Sequence, residues 1–140
     1  MLEPVRAEGS AAIWWERETF LSSESDDNRC PAVIDVTGQA RYLTYGPFIE
    51  LRPGFWRARV LLEVCIDAAR RRLAVQFGVE PAYTTVELPY GVPGRHEIVV
   101  EHRLAEAGPV QIRLYLQRAA FHGEVRFLGA YLERLGDPAE

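Results

Sequence analysis

Apolar and polar residues alternate with a period of two along most of the chain, and the pattern is clearest from Trp56 to Ile66. One set of alternate positions is entirely apolar: Trp56, Ala58, Val60, Leu62, Val64 and Ile66. The other set is mixed: Arg57, Arg59, Leu61, Glu63 and Cys65. A β-strand sends alternate side chains to opposite faces of its sheet, whereas a helix would mix the two sets on every turn. The segment is therefore predicted to be a strand with one buried face and one largely polar face.

The same alternation predicts further strands over residues 13–18, 42–51, 73–79, 84–88, 97–101, 110–117 and 125–132. The stretch 42–51 is expected to form one or two short strands around Gly46-Pro47. Proline- and glycine-containing turns separate the strands, because proline presets φ and glycine supplies positive φ. About eight strands at this spacing predict an all-β antiparallel sandwich or barrel. At most one helical turn is expected, at 68–72, and a long polar surface loop at 22–31.

The chain length of 140 residues is that of one domain. We expect a single β-sandwich domain over residues 10–135, with a flexible N-terminus at 1–9 and a frayed tail at 136–140. The formal net charge is −4, which argues against a nucleic-acid-binding surface, since such surfaces carry a clustered basic excess. No apolar run approaches the roughly 18 residues that a membrane span requires. The first ten residues lack the apolar core of a signal peptide, so a cytoplasmic location is expected.

Cys30 and Cys65 form no CxxC pair and have no zinc-site spacing. They are expected to be two free thiols, with a single disulfide as the alternative in an oxidising compartment.

The segment Tyr42–Val64, YLTYGPFIELRPGFWRARVLLEV, resembles the galactose-binding-like β-sandwich, or jelly roll, of many carbohydrate-binding modules. The resemblance lies in Tyr45-Gly46-Pro47, in the Pro53-Gly54 turn and in the aromatic start of the following long strand. Residues 86–98 look like the second half of that fold, and the closing VRFLGAYLERL looks like its terminal strand, which returns beside the first. The resemblance implies a jelly-roll fold. Fold alone does not give function, because the same fold also includes domains that hold proteins together.

Many modules of this kind hold a structural calcium ion with two acidic residues of the first strand. Glu16 and Glu18 have the matching spacing, which would place both carboxylates on one strand face. Calcium takes six to eight oxygen ligands, so two glutamates would supply only part of such a site. The alternative is a solvated acidic face on an edge strand.

Sugar recognition needs aromatic rings that stack on the sugar and planar polar groups that hydrogen-bond its hydroxyls. The first candidate site is the polar face of the sheet, formed by Arg57, Arg59, Gln76, Arg113, Tyr115 and Gln117 if their strands are neighbours. The second is the loop rim, with the aromatic residues Tyr45, Phe48, Tyr83 and Tyr90, to which Asp26, Asp27 and Asn28 could add polar contacts. The alternatives are an ordinary solvated face and hydrophobic plugs at the ends of the sandwich.

Other residues carry weaker signals. Trp15 and Trp56 are expected in the core, whereas Trp14 points the other way and is either an exposed contact platform or edge cover. His96 and His102 lie six residues apart on one strand, a separation of about 20 Å that is too large to share a metal ion. The run at 70–72, three arginines, is most simply a solvated turn, with a phosphate or acidic-glycan contact as the alternative.

The sequence thus favours a non-catalytic carbohydrate-binding domain, accessory to a glycan-processing enzyme such as a glycosyltransferase. The main alternative is a protein-interaction domain, a homodimer included, that binds through Trp14 and the outer sheet face. An enzyme ranks third, because no nucleophile or zinc motif is present.

Overall fold

The computed structural model describes residues 12–138, which form two antiparallel sheets. The strands are β1 (Ile13–Glu16), β2 (Ile34–Asp35), β3 (Arg41–Thr44), β4 (Pro47–Leu51), β5 (Gly54–Val64), β6 (Leu73–Val79), β7 (Ala82–Glu87), β8 (Gly94–Leu104), β9 (Gly108–Leu116) and β10 (Glu124–Gly136). Short 3₁₀ turns follow β1 at Arg17–Thr19 and β5 at Ala68–Arg70. The all-β prediction is confirmed, and a 3₁₀ turn lies within the predicted segment 68–72; the turn at Arg17–Thr19 was not predicted.

The back sheet has the order β1-β10-β5-β8, with β2 also pairing with β10, and the front sheet has the order β3-β9-β6-β7, with β4 also pairing with β9. The closing strand β10 pairs with β1, which places Ile13 opposite Leu132, and it pairs with β5 on its other side. The last strand therefore returns beside the first, as predicted. Most sheet neighbours are distant in sequence, and this arrangement is typical of jelly-roll sandwiches.

The core lies between the two sheets and is built by the predicted alternation. In β5 every second residue is buried, and Val60 and Leu62 are fully inaccessible. From the front sheet, β9 contributes Ile112 and Leu114, which are also fully buried. Each such aliphatic side chain contributes about 1.5–3 kcal/mol when it leaves water.

Three predictions at strand ends differ from the structure. Ile66 is 58% exposed, because β5 ends at Val64 and the chain then enters the 3₁₀ turn. Arg17 and Glu18 do not continue β1 but lie in its following 3₁₀ turn. Gly136 belongs to β10 rather than to a frayed tail, and Arg103 donates a hydrogen bond to the carbonyl of Pro138. The predicted flexible segment 1–9 and the last two residues lie outside the described residues.

Cys30 and Cys65 are free thiols, as expected. Burial raises the pKa of Cys30. Cys65 is half-buried, and its sulfur accepts hydrogen bonds from the backbone amides of Ala68 and Glu124. In residues 12–138 we find no helix long and apolar enough to cross a membrane.

Candidate functional site

The outer surface of the front sheet, here called the front face, gathers polar and aromatic side chains from four strands. Its members are Tyr42, Gln76, Tyr83, Gln111, Arg113, Tyr115 and Gln117. Strand pairing sets them side by side: Tyr42 lies opposite Tyr115, and Gln76 lies opposite Arg113. Residues paired across antiparallel strands point to the same side of the sheet. The register therefore places these side chains in adjacent rows on one side of the front sheet.

Arg113 is the centre of the front face. Its guanidinium carbon lies 4.3 Å from the ring centroid of Tyr42 and 3.8 Å from that of Tyr83. Its Nη2 donates a 2.6 Å hydrogen bond to Oε1 of Gln76, and its Nη1 lies 3.8 Å from a carboxylate oxygen of Glu80. The Arg113 side chain is only 13% exposed, so these contacts hold it in one orientation. Its buried Nε has no hydrogen-bond partner among residues 12–138.

Tyr83 extends this network toward the edge of the sheet. Its hydroxyl accepts a 2.8 Å hydrogen bond from Nε2 of Gln111 and donates one of 3.1 Å to Glu80. Burial is the largest cause of a pKa raised above the usual value for tyrosine. Tyr83 is therefore protonated at neutral pH and acts as a donor to Glu80.

Beside Arg113 lies a cavity of about 370 Å³ lined by Ser23, Arg41, Tyr42, Tyr45, Gln111 and Arg113. This volume is at the small end of the range for small-molecule sites. One wall is held by Arg41, which donates two 2.9 Å hydrogen bonds to the Glu24 carboxylate. Those bonds raise the pKa of Arg41 and tie the 22–31 loop to β3.

An aromatic pair stands next to the cavity. The rings of Tyr42 and Tyr115 are 4.8 Å apart at their centroids and inclined by 35°. Tyr42 is 38% exposed. A partly exposed pair of rings next to fixed amide and guanidinium groups has the chemistry that sugar binding requires.

The residues of the predicted polar face are divided between the two sheets. Gln76, Arg113, Tyr115 and Gln117 lie on the outer side of the front sheet. Arg57 and Arg59 do not join them, because β5 pairs with β8 and β10 in the back sheet. There, Arg57 pairs with Glu101 at 3.0 Å and Arg59 pairs with Glu97 at 3.6 Å.

The predicted rim residues separate into two places. Tyr45 lines the cavity beside Arg113, and the ring of Phe48 lies 6.4 Å from the ring of Tyr45. Phe48 has a positive φ of 67° at an irregularity in the pairing of β4, and it is 47% exposed. Tyr90 lies elsewhere, beside Arg72.

Two residues of the front face, Tyr42 and Gln111, were absent from both predicted sites. Tyr83 was placed on the loop rim. Gln111 has the same parity as Arg113 and Tyr115 in its strand, so the alternation already indicated it. The spacing along the chain did not place Tyr42 beside these residues, because the register between β3 and β9 shifts just after it.

The acidic residues predicted to bind calcium, Glu16 and Glu18, lie in different elements. Glu16 ends β1 while Glu18 lies in the 3₁₀ turn, so the two do not share a strand face, and Glu18 pairs with Arg17 at 3.0 Å. Across residues 12–138 no group of three His, Cys, Asp or Glu side chains could hold a metal ion. Asp27 stabilises its own loop. Its carboxylate accepts a hydrogen bond from the backbone N–H of Arg29, and this bond is the largest cause of its lowered pKa. Its neighbours Asp26 and Asn28 are exposed in the same loop.

The outer surface of the back sheet carries a second aromatic group. Trp14 is 42% exposed, and its ring centroid lies 4.6 Å from that of Tyr131. The guanidinium of Arg59 lies 4.8 Å from the same Tyr131 ring. Trp15 and Trp56 are buried in the core, as predicted.

No protein-family model matches this chain, and no curated protein matches it. Among solved structures, the fold is similar to that of TmCBM61 in complex with β-1,4-galactotriose, with a TM-score of 0.51. The alignment covers 88% of each chain at 10% sequence identity. At this identity the similarity concerns the fold, and it confirms the antiparallel β-sandwich that the sequence predicted.

Proposed function

We propose that this chain is a non-catalytic carbohydrate-binding domain and that its front face holds the sugar. A pyranose ring would stack on the rings of Tyr42 and Tyr115, with its hydroxyls directed to Arg113 and Gln111. The observation that carries the proposal is the fixed guanidinium of Arg113 between two tyrosines, beside a cavity of about 370 Å³. A preorganised polar group lowers the entropy cost of binding.

The cavity lining supports this assignment. Arg113 and Gln111 line the cavity together and lie two residues apart on the same face of β9. The amide of Gln111 is oriented by its hydrogen bond to Tyr83. Together these groups would form a hydrogen-bonding edge next to the aromatic pair.

The absence of catalysis is part of the same proposal. Glycoside hydrolysis uses two carboxyl groups that flank the scissile bond. The carboxylate in contact with Arg113 and Tyr83 is Glu80, and it is engaged by both. We further propose that the domain is an accessory to a glycan-processing enzyme such as a glycosyltransferase. A gene or fused domain of that class beside this one would support that role, and consistently unrelated neighbours would count against it.

The first ligand to test is β-1,4-galactotriose, because TmCBM61, a protein of similar fold, is seen in complex with it. Isothermal titration should detect binding by the wild-type protein to this or another glycan identified on an array. Tyr115→Ala and Tyr42→Ala should each weaken binding by about tenfold or more, because one stacked ring is worth roughly 0.5–1.5 kcal/mol beyond its buried area.

Tyr131→Ala is the matched control, since it removes an aromatic ring from the outer surface of the back sheet. Its affinity for the glycan should equal that of the wild type. No binding to any glycan on the array would overturn the proposal. Equal losses of glycan affinity in Tyr131→Ala and Tyr115→Ala would contradict the assignment of the sugar site to the front face.

A protein-interaction role is the second candidate, favoured by the exposed Trp14, which packs on Tyr131, and by Arg59, whose guanidinium lies over the same Tyr131 ring. Aromatic residues and arginine are enriched at protein interfaces. Sedimentation velocity over a range of concentrations tests for a homodimer. A dimer that Trp14→Ser dissociates would support this role, and a monomer at all concentrations would contradict self-association.

A further inference from the structure

A second cavity, here called the arginine pocket, lies at the far end of the front sheet. It has a volume of about 310 Å³ and is lined by Arg70, Arg71, Arg72, Tyr90, Arg118 and Ala119. Three backbone hydrogen bonds bring its segments together: Gln117 N to Arg72 O (2.8 Å), Gly91 N to Ala69 O (2.6 Å) and Leu88 N to Leu73 O (2.9 Å). The pocket is thus held by the ends of β6, β7 and β9.

The four arginines of the pocket have no carboxylate partner within 4.0 Å among residues 12–138. Elsewhere in the described chain seven arginines pair with carboxylates (Arg17, Arg41, Arg57, Arg59, Arg95, Arg113 and Arg134), whereas Arg29, Arg52, Arg103 and Arg126 do not, and these four are scattered rather than gathered in one pocket. Like charges in one pocket repel one another, and a bound anion would relieve that repulsion. The local charge is therefore opposite to the net charge of −4 on the whole chain.

Arg71 adds a second observation. Its Nε is buried and makes no hydrogen bond within the described residues. Arg71 nevertheless lines the pocket, so the rest of its guanidinium, rather than Nε, would meet a ligand. Nearby, the guanidinium of Arg72 lies 5.6 Å from the ring centroid of Tyr90, which is 62% exposed. The pocket therefore offers unpaired positive charge and an aromatic wall.

The pocket continues the front face. Ala74 lies opposite Tyr115 and Gln76 opposite Arg113, so the same alternation puts Arg72 beside Gln117 on the outer side. Arg113 and Gln117 are four residues apart along the chain, or about 13 Å in an extended strand. A short oligosaccharide could therefore contact both places at once.

We infer that the arginine pocket binds the anionic group, a carboxylate or a sulfate ester, of an acidic oligosaccharide whose other sugars lie on the front face. This inference rests on the proposed function and specifies its ligand class. Arginine suits the role because its planar guanidinium donates two parallel hydrogen bonds to a carboxylate or sulfate.

The test compares trigalacturonate with its carboxyl-reduced form, since both have the same linkage and differ only at C6, which carries a carboxylate in one and a neutral hydroxymethyl group in the other. Isothermal titration at low salt should show that the wild-type protein binds trigalacturonate about tenfold more tightly, as expected for a charge-assisted contact. In the double variant Arg71→Gln/Arg72→Gln the two affinities should agree within about twofold. Arg118→Gln provides a second variant if the double variant does not fold. Arg126→Gln, an exposed arginine of the back sheet, should keep the wild-type preference.

A sulfated and a desulfated form of one oligosaccharide, titrated in the same way, distinguish the two anionic groups. Sodium sulfate and sodium phosphate alone should bind at least tenfold more weakly than the best acidic oligosaccharide. Equal affinity for a free anion would overturn the glycan assignment, as would an acidic preference that survives in the double variant.

Binding of β-1,4-galactotriose in the same series separates the two proposals. If it binds while neither acidic form gains affinity, the pocket inference is overturned and the proposed function stands. If no glycan binds, both are overturned.

Discussion

Replacing Arg113 with methionine tests whether the front face is held together as the structure describes. Methionine keeps an apolar stem of similar length and removes the guanidinium. The variant loses two cation–π contacts, at 4.3 Å and 3.8 Å, each worth about 1 kcal/mol at a partly desolvated site. It also loses the charge-assisted hydrogen bond to Gln76, worth about 1.5–3 kcal/mol.

Removing the unpartnered Nε of Arg113 offsets about 1 kcal/mol of that loss. The net destabilisation is then about 2.5–4 kcal/mol, which for a domain of this size lowers Tm by roughly 8–12 °C. Urea unfolding followed by circular dichroism measures the free energy, and calorimetry measures Tm.

Arg59→Met is the matched control on the back sheet. Arg59 has one cation–π contact at 4.8 Å and an ion pair with Glu97 at 3.6 Å, and its side chain is 33% exposed. Exposed pairs of this kind contribute about 0–1 kcal/mol, so the control should cost less than about 1.5 kcal/mol. Equal costs for the two variants, or no cost for Arg113→Met, would refute the reasoning.

Three further predictions concern the scaffold. Gly129→Ala should lower the free energy of unfolding, measured by urea titration, by about 2–5 kcal/mol, since φ is +137° and the new Cβ would lie 2.5 Å from the carbonyl oxygen of Trp15. The control Gly91→Ala, at positive φ in open space, should cost only about 1–2 kcal/mol. Leu62→Ala should cost about 2–5 kcal/mol, because Leu62 is fully buried, and a loss below about 1 kcal/mol would contradict its central position. Burial lowers the pKa of His102 below its ordinary 6.5, so the folded state disfavours the protonated form. The free energy of unfolding should therefore be greatest above about pH 7 and should fall as the pH drops through 6.5. His102→Gln should remove that part of the pH dependence.

The sequence predicted which side of each strand is buried more accurately than it predicted which strands pair with one another. The alternation in β5 and β9 identified the buried side of each strand correctly, because a complete apolar row has one energetically acceptable orientation. The same pattern carries no information on which strands pair. Arg57 was therefore grouped with Arg113 although their strands lie in different sheets.

Local irregularities account for the other differences. A register shift follows Tyr42, so its place next to Arg113 could not be read from spacing. Glu18 lies outside β1, contrary to the prediction, because the chain enters a 3₁₀ turn after Glu16. The grouping of Arg70, Arg71 and Arg118 around one pocket depends on contacts between segments that are far apart along the chain.

The position of β10 between β1 and β5 has a consequence for biosynthesis. Ile13 pairs with Leu132, which is synthesised almost a whole domain later, so β1 cannot pair in its sheet until β10 has been made. Until β10 leaves the ribosome, β5 lacks its neighbour on one side and offers an unpaired edge to other chains. The nascent chain is therefore open to aggregation for most of its synthesis, and its folding should be slow, as is usual where long-range pairings dominate.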